Sequence, residues 1–93
     1  MCIRDRISSL SSLDYSTRMN AARTLRRLPA TEAVPALADA VRKHRDEFVR
    51  YRAFIVLSSF NDRGTGELAR GLLRDPNDRL REVVYKFLSL IHI

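Results

Sequence analysis

One arginine recurs along this chain at a nearly constant spacing: Arg18, Arg50 and Arg81 are 32 and 31 residues apart. The positions around it keep the same register, with Ala or Val three positions after each arginine and Leu seven positions after it. A residue that can cap a helix, Asp or Asn, stands four positions before each arginine. A period of about 31 residues with two helical segments per unit is the signature of a helical-repeat protein, in which each unit packs only against its neighbours.

The central unit, residues 46–60, is the most apolar segment of the chain. Asp46 is the predicted N-cap, because its carboxylate can accept hydrogen bonds from the free amides of the first helical turn. Phe48 and Ile55 form a second apolar line beside the main one, so this helix is predicted to be buried on several sides. The main line follows the spacing of one helix face and consists of Val49, Ala53, Val56, Leu57 and Phe60.

Two helical segments are predicted at the amino end of the chain. Ile7, Leu10 and Leu13 are spaced by three residues and predict the end of a first helix. The next helix is capped by Asp14 or Ser16, and both choices are open on the sequence alone. It ends at the Leu-Pro pair that follows, because proline has no amide hydrogen to donate.

Three more helices complete the predicted order. One covers residues 32–44, with Thr31 as its N-cap. A short one begins after Thr65 as its N-cap and ends near Arg74, and two glycines weaken it. The last begins near Leu80, after an Asp-Pro-Asn-Asp turn. The sequence therefore predicts an all-α chain of alternating longer and shorter helices.

The chain carries an excess of positive charge. Its 93 residues, enough for one small domain, carry a net charge of +6, with fifteen arginines against two lysines. A basic balance favours nucleic acid or another acidic partner. Several basic residues instead fall in the last turn of a predicted helix, where they offset the helix dipole, so both interpretations stay open. These residues are Arg26, Arg27, Arg42, Lys43 and Arg74.

No chemical motif points to catalysis or to a bound group. The one cysteine, Cys2, excludes a disulfide framework and is compatible with a reducing, cytoplasmic setting. The sequence has no His-x-x-x-His or Cys-x-x-Cys spacing, no phosphate-binding loop and no apolar run of membrane-spanning length. His44 is predicted to cap a helix end rather than to act as a base or ligand. We therefore predict no catalytic residue, no cofactor, no metal and no membrane span.

The detailed pattern of the units resembles a known family. Residues 46–57 carry Asp-x-x-Val-Arg-x-x-Ala with a leucine four positions further on, and residues 33–37 read Ala-Val-Pro-Ala-Leu. Together they resemble HEAT repeats, especially the short bacterial type that is also seen in phycobilisome-lyase-like proteins. The resemblance covers residues 7–88. It implies an α-solenoid of antiparallel helical hairpins, with about two full repeats and a partial repeat at each end.

The same resemblance implies a structural role for the recurring acid and arginine. In HEAT repeats these two residues typically bond at the turns between neighbouring units. Asn77 departs from the pattern, and Asp78 is expected to take the place of the acid. The alternative is that the arginines form a basic face toward a partner. The residues to which the structural role falls are Asp14, Arg18, Asp46, Arg50, Asp78 and Arg81.

Both ends of the sequence stand apart from the repeats. Residues 1–6 and 89–93 resemble short flanks that arise when adapter sequence is translated in assembled environmental reads. They are expected to be non-native, and the chain between them to be a piece of a longer protein. Alternatively, residues 89–93 continue the last helix.

Repeat units without polar caps expose apolar faces, which predicts self-association of the chain.

Three functions are expected, and they are given in decreasing order of support from the sequence. The first is a non-catalytic scaffold that presents its helical surface to a protein partner. The second is binding of the DNA backbone through a basic helical face, and the third is a lyase-associated role by family analogy. The candidate partner-binding residues for the first two are Arg23, Arg27, Arg52, Arg63 and Arg70.

Overall fold

The computed structural model describes residues 3–91, and within them the regular structure is entirely helical. A 3₁₀ turn, Ser9–Ser11, follows the first helix. The predicted all-α class is therefore confirmed for the described part of the chain. The helices are α1 (Ile3–Ser8), α2 (Tyr15–Arg27), α3 (Ala30–Lys43), α4 (Glu47–Ser58), α5 (Gly64–Gly71) and α6 (Asp78–Ile91).

Helices α2 and α4 begin at carboxylate caps. Asp14 accepts a hydrogen bond from the backbone N–H of Thr17 at 3.0 Å, which decides between the two candidate caps of α2. Asp46 accepts from the N–H groups of Phe48 and Val49 at 2.8 and 3.3 Å, as predicted for α4. These bonds satisfy amides that have no partner within the first turn of a helix.

Helix α4 lies at the centre of the fold. It packs against α3 and α6, and the 3₁₀ turn also contacts it. The most extensive contact between two helices is that of α3 with α4. Helix α3 packs less against α2, which precedes it in sequence. Short connections make consecutive packed helices antiparallel neighbours. The hairpins in space are therefore α1 with α2, α3 with α4 and α5 with α6.

The predicted main line of α4, its inner stripe, is confirmed for four of its five residues, whereas Phe60 lies beyond the end of the helix and is half-buried. Phe54, 1% exposed, meets Phe87 of α6 edge to face, with ring centroids 5.5 Å apart. Phe48 and Ile55 are 43% and 38% exposed, so the prediction that α4 is buried on several sides was wrong for this line. The stripe residues that are fully buried are Val49, Ala53, Val56 and Leu57.

Two predicted caps were wrong. Helix α3 begins one residue before Thr31, because the carbonyl of Pro29 accepts the first amide bonds and no side chain caps the helix. Thr65 lies inside α5 and is 2% exposed. The amide at the start of α5, that of Gly64, donates to the carboxylate of Asp62 at 3.0 Å. A threonine near a helix start is therefore not sufficient to define the cap.

The predicted apolar spacing of three residues near the amino end is confirmed for two residues and wrong for the third. Ile7 and Leu10 are buried, whereas Leu13 is 99% exposed. Helix α1 ends at Ser8, and Ser12 has an extended backbone with a ψ of 142°. The helical spacing of three therefore stops before Leu13, and its side chain points away from the core.

The predicted flanks fall partly outside the described residues, since residues 1, 2, 92 and 93 are not described. Residues 3–6 lie in α1, and residues 89–91 lie in α6. The non-native origin of either flank stays a prediction, and Cys2 lies outside the described residues. Within residues 3–91, no helix has both the length and the apolar character needed to cross a bilayer.

Candidate interaction surface

The recurring arginines bind the turns that precede their own helices. Arg18 donates through Nη1 to the carbonyl of Ser12 at 2.9 Å. Arg81 donates through Nη1 to the carbonyl of Asp75 at 2.7 Å. Both carbonyls stand six positions before the arginine. The guanidinium groups therefore satisfy backbone acceptors in the turns before α2 and α6, each of which lies within a hairpin.

A side-chain acceptor also stands two positions before each N-cap residue and binds the backbone N–H of that residue. Sequence reasoning missed these positions, because Ser, His and Asp share no simple residue class. Their common signal is the register, six positions before each recurring arginine, and the ability to accept a hydrogen bond. The pairs are Ser12 Oγ with Asp14 N (3.2 Å), His44 Nδ1 with Asp46 N (3.0 Å) and Asp75 Oδ1 with Asn77 N (2.9 Å).

His44 occupies one of these acceptor positions and has a structural role there. Its backbone N–H donates to the carbonyl of Ala40 and closes α3, which confirms the predicted capping role. Because Nδ1 accepts the N–H of Asp46, the ring proton lies on Nε2 in the neutral form. The imidazole thus fixes the turn between α3 and α4.

Arg50 differs from the other two arginines because it reaches the next unit. Its Nε donates to the carbonyl of Val41 at 2.7 Å, and its two terminal nitrogens bind the carboxylate of Asp75. The side chains of the pair are 16% and 13% exposed. Asp75 thus links α4 to the turn before α6, a role that the sequence analysis did not assign to it.

Asn77, and not Asp78, caps α6. The Oδ1 atom of Asn77 accepts the N–H of Leu80 at 3.2 Å, and its Nδ2 donates to the carbonyl of Glu47 at 2.9 Å. Asp78 is the first residue of α6 and pairs with Arg81 instead. An aspartate could accept the first bond but could not donate the second, which explains the departure from Asp at this repeat position.

These turns stabilise the ionised form of three aspartates. The hydrogen bond from the Thr17 hydroxyl is the largest effect that lowers the pKa of Asp14. The guanidinium of Arg50 lowers the pKa of Asp75, although partial burial opposes it. For Asp46, burial raises the pKa, but the amides of α4 outweigh it and the net shift is downward.

The predicted partner-binding arginines do not form one surface. Arg52 is half-buried, and its Nη1 donates to the carbonyl of Leu10 at 2.9 Å. The other four are exposed, but they divide between α2 and the α5 region, which do not pack extensively against each other. Acidic Asp62 and Glu67 lie in the same surface depression as the α5 pair. The four exposed residues are Arg23, Arg27, Arg63 and Arg70.

Apolar side chains of α2, α4 and α6 instead form an exposed surface, which is here called the three-helix face. A depression of about 270 Å³ lies between α2 and α4, and a second of about 210 Å³ lies between α4 and α6. Ile55 lines both depressions. Met19 on α2, 37% exposed, lines the first, and Leu90 on α6, 70% exposed, lines the second. Met19 has the helical spacing of the buried Ala22 in the same helix, so spacing alone does not distinguish its exposed side chain from a core residue.

The charged side chains that line the two depressions are all positive, although Lys86 also pairs with Glu82 at 3.7 Å. Arg18, Arg26 and Arg52 line the depression between α2 and α4, and Lys86 lines the other. No acidic side chain of the described residues lines either depression. The described part of the chain also holds no cluster of His, Cys, Asp and Glu that could bind a metal ion. The face therefore combines apolar side chains with a cationic border.

In a comparison with protein families, residues 3–89 match the model of HEAT repeats. Comparison with curated proteins and with solved structures gives no significant match. The narrower resemblance to the short bacterial type stays a prediction. The family match covers nearly the whole chain and agrees with the helical hairpins, the caps and the 31- to 32-residue register. The chain therefore belongs to the HEAT-repeat family.

Proposed function

We propose that this chain is a non-catalytic scaffold segment that binds a protein partner through the three-helix face. HEAT repeats are generally protein-interaction modules, and repeat proteins present extended surfaces built from successive units. The observation that carries the proposal is the pair of adjoining apolar depressions that share Ile55. A partner that covers this residue can engage all three repeat helices at once.

The energetics support a protein partner on this face. Met19, Ile55 and Leu90 leave between 37% and 70% of their surface in water. Completing the burial of one such side chain contributes about 1 kcal/mol at about 25 cal/mol per Å² of apolar area. Apolar residues that line a continuous surface contribute together, whereas single exposed ones carry no such meaning. Binding in a reducing cytoplasm is compatible with the single cysteine of the chain.

The nucleic-acid alternative has weaker support. The net charge of +6 favours it, but a DNA-backbone site needs cations that converge on one track. Arg23 and Arg27 lie on α2, whereas Arg63 and Arg70 lie in the α5 region, so these cations do not form one track. DNA binding is therefore kept as an outcome of the test below.

Site-specific photocrosslinking tests the scaffold function. A photoreactive amino acid replaces Ile55 on the three-helix face or, as a control, Glu32, which is exposed on α3. After irradiation in cells that express the chain, adducts are separated and identified by mass spectrometry. We expect protein adducts from position 55 in clear excess over position 32. Equal labelling at both positions would contradict the proposal, and adducts to nucleic acid would support the alternative.

A further inference from the structure

The depression between α2 and α4, here called the α2/α4 groove, has an apolar interior. Buried Leu10, Ala22 and Val56 line it, together with Met19 and Ile55, which are 37% and 38% exposed. Its volume of about 270 Å³ lies below the range of about 300–1,000 Å³ that is usual for small-molecule sites. The groove therefore fits one or two anchoring side chains of a larger partner better than a whole small molecule.

The charge of the groove selects the chemistry of the partner. Three arginines, Arg18, Arg26 and Arg52, line it, and no acidic side chain does. Carboxylates are the protein groups that match guanidinium donors in charge and in geometry. Arg18 already lies near the carboxylate of Asp14, whereas Arg26 and Arg52 form no ion pair among the described residues. A neutral or basic apolar segment would leave these two cations uncompensated, so the complementary partner is acidic as well as apolar.

Two of these arginines are already held in position. Arg18 donates to the carbonyl of Ser12 at 2.9 Å. Arg52 donates to the carbonyl of Leu10 at 2.9 Å and lies over the ring of Tyr51, with Cζ 5.5 Å from the ring centroid. A guanidinium has five N–H donors, so each arginine keeps donors for a partner. Because their side chains are already ordered, binding costs less conformational entropy than it would with free arginines.

The same features favour a protein segment over nucleic acid. Nucleic-acid binding draws most of its free energy from phosphates that meet cations spaced along the strand. In the groove the cations surround apolar side chains, including Met19 and Ile55, which a sugar–phosphate strand would cover without apolar contact. An amphipathic protein segment can contact both the apolar side chains and the cations. Its apolar residues would lie inside the groove and its acidic residues at the border.

We propose that the α2/α4 groove binds an acidic amphipathic segment of a partner protein. A large apolar side chain of that segment lies between Met19 and Ile55, and its carboxylates pair with Arg18, Arg26 and Arg52. This inference rests on the proposed scaffold function and deepens it, because it names the site and the chemistry of the partner.

Peptide selection tests the inference with the full chain. The chain is immobilised and exposed to a displayed library of random peptides of about sixteen residues, enough for an amphipathic segment to engage one groove. We expect the enriched peptides to carry net negative charge together with at least one large apolar residue. Their affinity is expected to fall with rising salt, because part of it is electrostatic.

Matched variants locate the binding. Ile55→Glu is expected to abolish binding of the enriched peptides, and Arg26→Gln to weaken it by about three- to tenfold, as for an exposed charge pair at an interface. Arg70→Gln removes an arginine of α5 that is also exposed, and it is expected to leave binding unchanged. Met19→Glu serves as a second test of the groove, and circular dichroism checks that each variant is folded.

Each remaining result counts against the inference. Enriched peptides without an acidic and apolar bias would overturn it, as would binding that persists in both Ile55→Glu and Met19→Glu. Displacement of the peptides by single-stranded DNA would assign the groove to nucleic acid. Protein adducts from position 55 without any enriched acidic peptide would overturn this inference alone. The absence of protein adducts would instead remove the scaffold function on which it rests.

Discussion

The guanidinium of Arg50 binds the carboxylate of Asp75 at two points across 25 positions of the chain. Nη1 lies 3.1 Å from Oδ1, and Nη2 lies 2.5 Å from Oδ2. The same carboxylate accepts the N–H of Asn77, and the carbonyl of Asp75 accepts from Arg81. Asp75 therefore joins α4 to the turn within the next hairpin, and Arg50 depends on Asp75 for compensation of its charge.

Asp75→Ala is expected to lower the free energy of unfolding by about 3 kcal/mol. The change leaves the largely buried guanidinium of Arg50 without its counter-charge and removes the acceptor of the Asn77 amide. Urea denaturation followed by circular dichroism measures the loss. Asp39→Ala is the matched control, because the Asp39 and Lys43 side chains are 63% and 76% exposed. We expect it to change stability by less than about 0.5 kcal/mol, and similar losses in both variants would rule out a special role for Asp75.

Asn77→Asp is expected to destabilise the chain by about 1–3 kcal/mol. The substitution keeps the helix-capping oxygen but removes the Nδ2 donor, so the carbonyl of Glu47 loses its bond and faces a carboxylate. Asp46→Asn is the reverse change at the equivalent repeat position and keeps its capping acceptor. Since Asn and Asp are comparable caps, we expect little change there. Thermal unfolding distinguishes the two variants, and equal melting temperatures would contradict the inter-unit role of Asn77.

Acid is expected to destabilise the fold through the aspartates at the turns. The usual aspartate pKa is 3.8, and the folded-state pKa values of Asp14, Asp46 and Asp75 lie below it. The unfolded chain therefore takes up protons first as the pH falls, so stability is full above about pH 5 and declines through the folded-state pKa values. Urea denaturation between about pH 2 and pH 7 measures this profile.

Asp75→Asn separates this effect from general charge repulsion in acid. The variant has no carboxylate at position 75, so its stability is expected to fall less steeply than that of the parent chain over the same pH range. A variant profile parallel to that of the parent would show that Asp75 contributes nothing to the acid response.

Thr65→Val is expected to stabilise the chain by up to about 1 kcal/mol. Thr65 is 2% exposed, and its hydroxyl has no hydrogen-bond partner among the described residues. Valine has nearly the same shape and removes the cost of burying an unpaired hydroxyl. Thr17→Val is the contrasting change, because the Thr17 hydroxyl donates to Asp14 at 2.6 Å and its loss is expected to destabilise α2. A lower melting temperature for Thr65→Val would show that its hydroxyl is paired in solution.

The sequence by itself determined the helical class, the repeat register and the cap of α4, and it limited the cap of α2 to two residues. Asp14 and Asp46 cap helices that start within three residues of them, so the controlling contacts are local in the chain. The buried stripe of α4 follows from helical periodicity, which is likewise local. The family match over residues 3–89 is consistent with these features, since the repeat itself is a pattern of local spacing.

Only the tertiary structure decided which side chains join the units and which form the interaction surface. Arg50 meets Asp75 across 25 positions, and Arg52 meets the Leu10 carbonyl across 42. The exposure of Ile55 depends on which helices pack against α4 and how far they extend. Spacing along a helix fixes which side chains share a face, but the position of the neighbouring helices fixes whether that face meets protein or water.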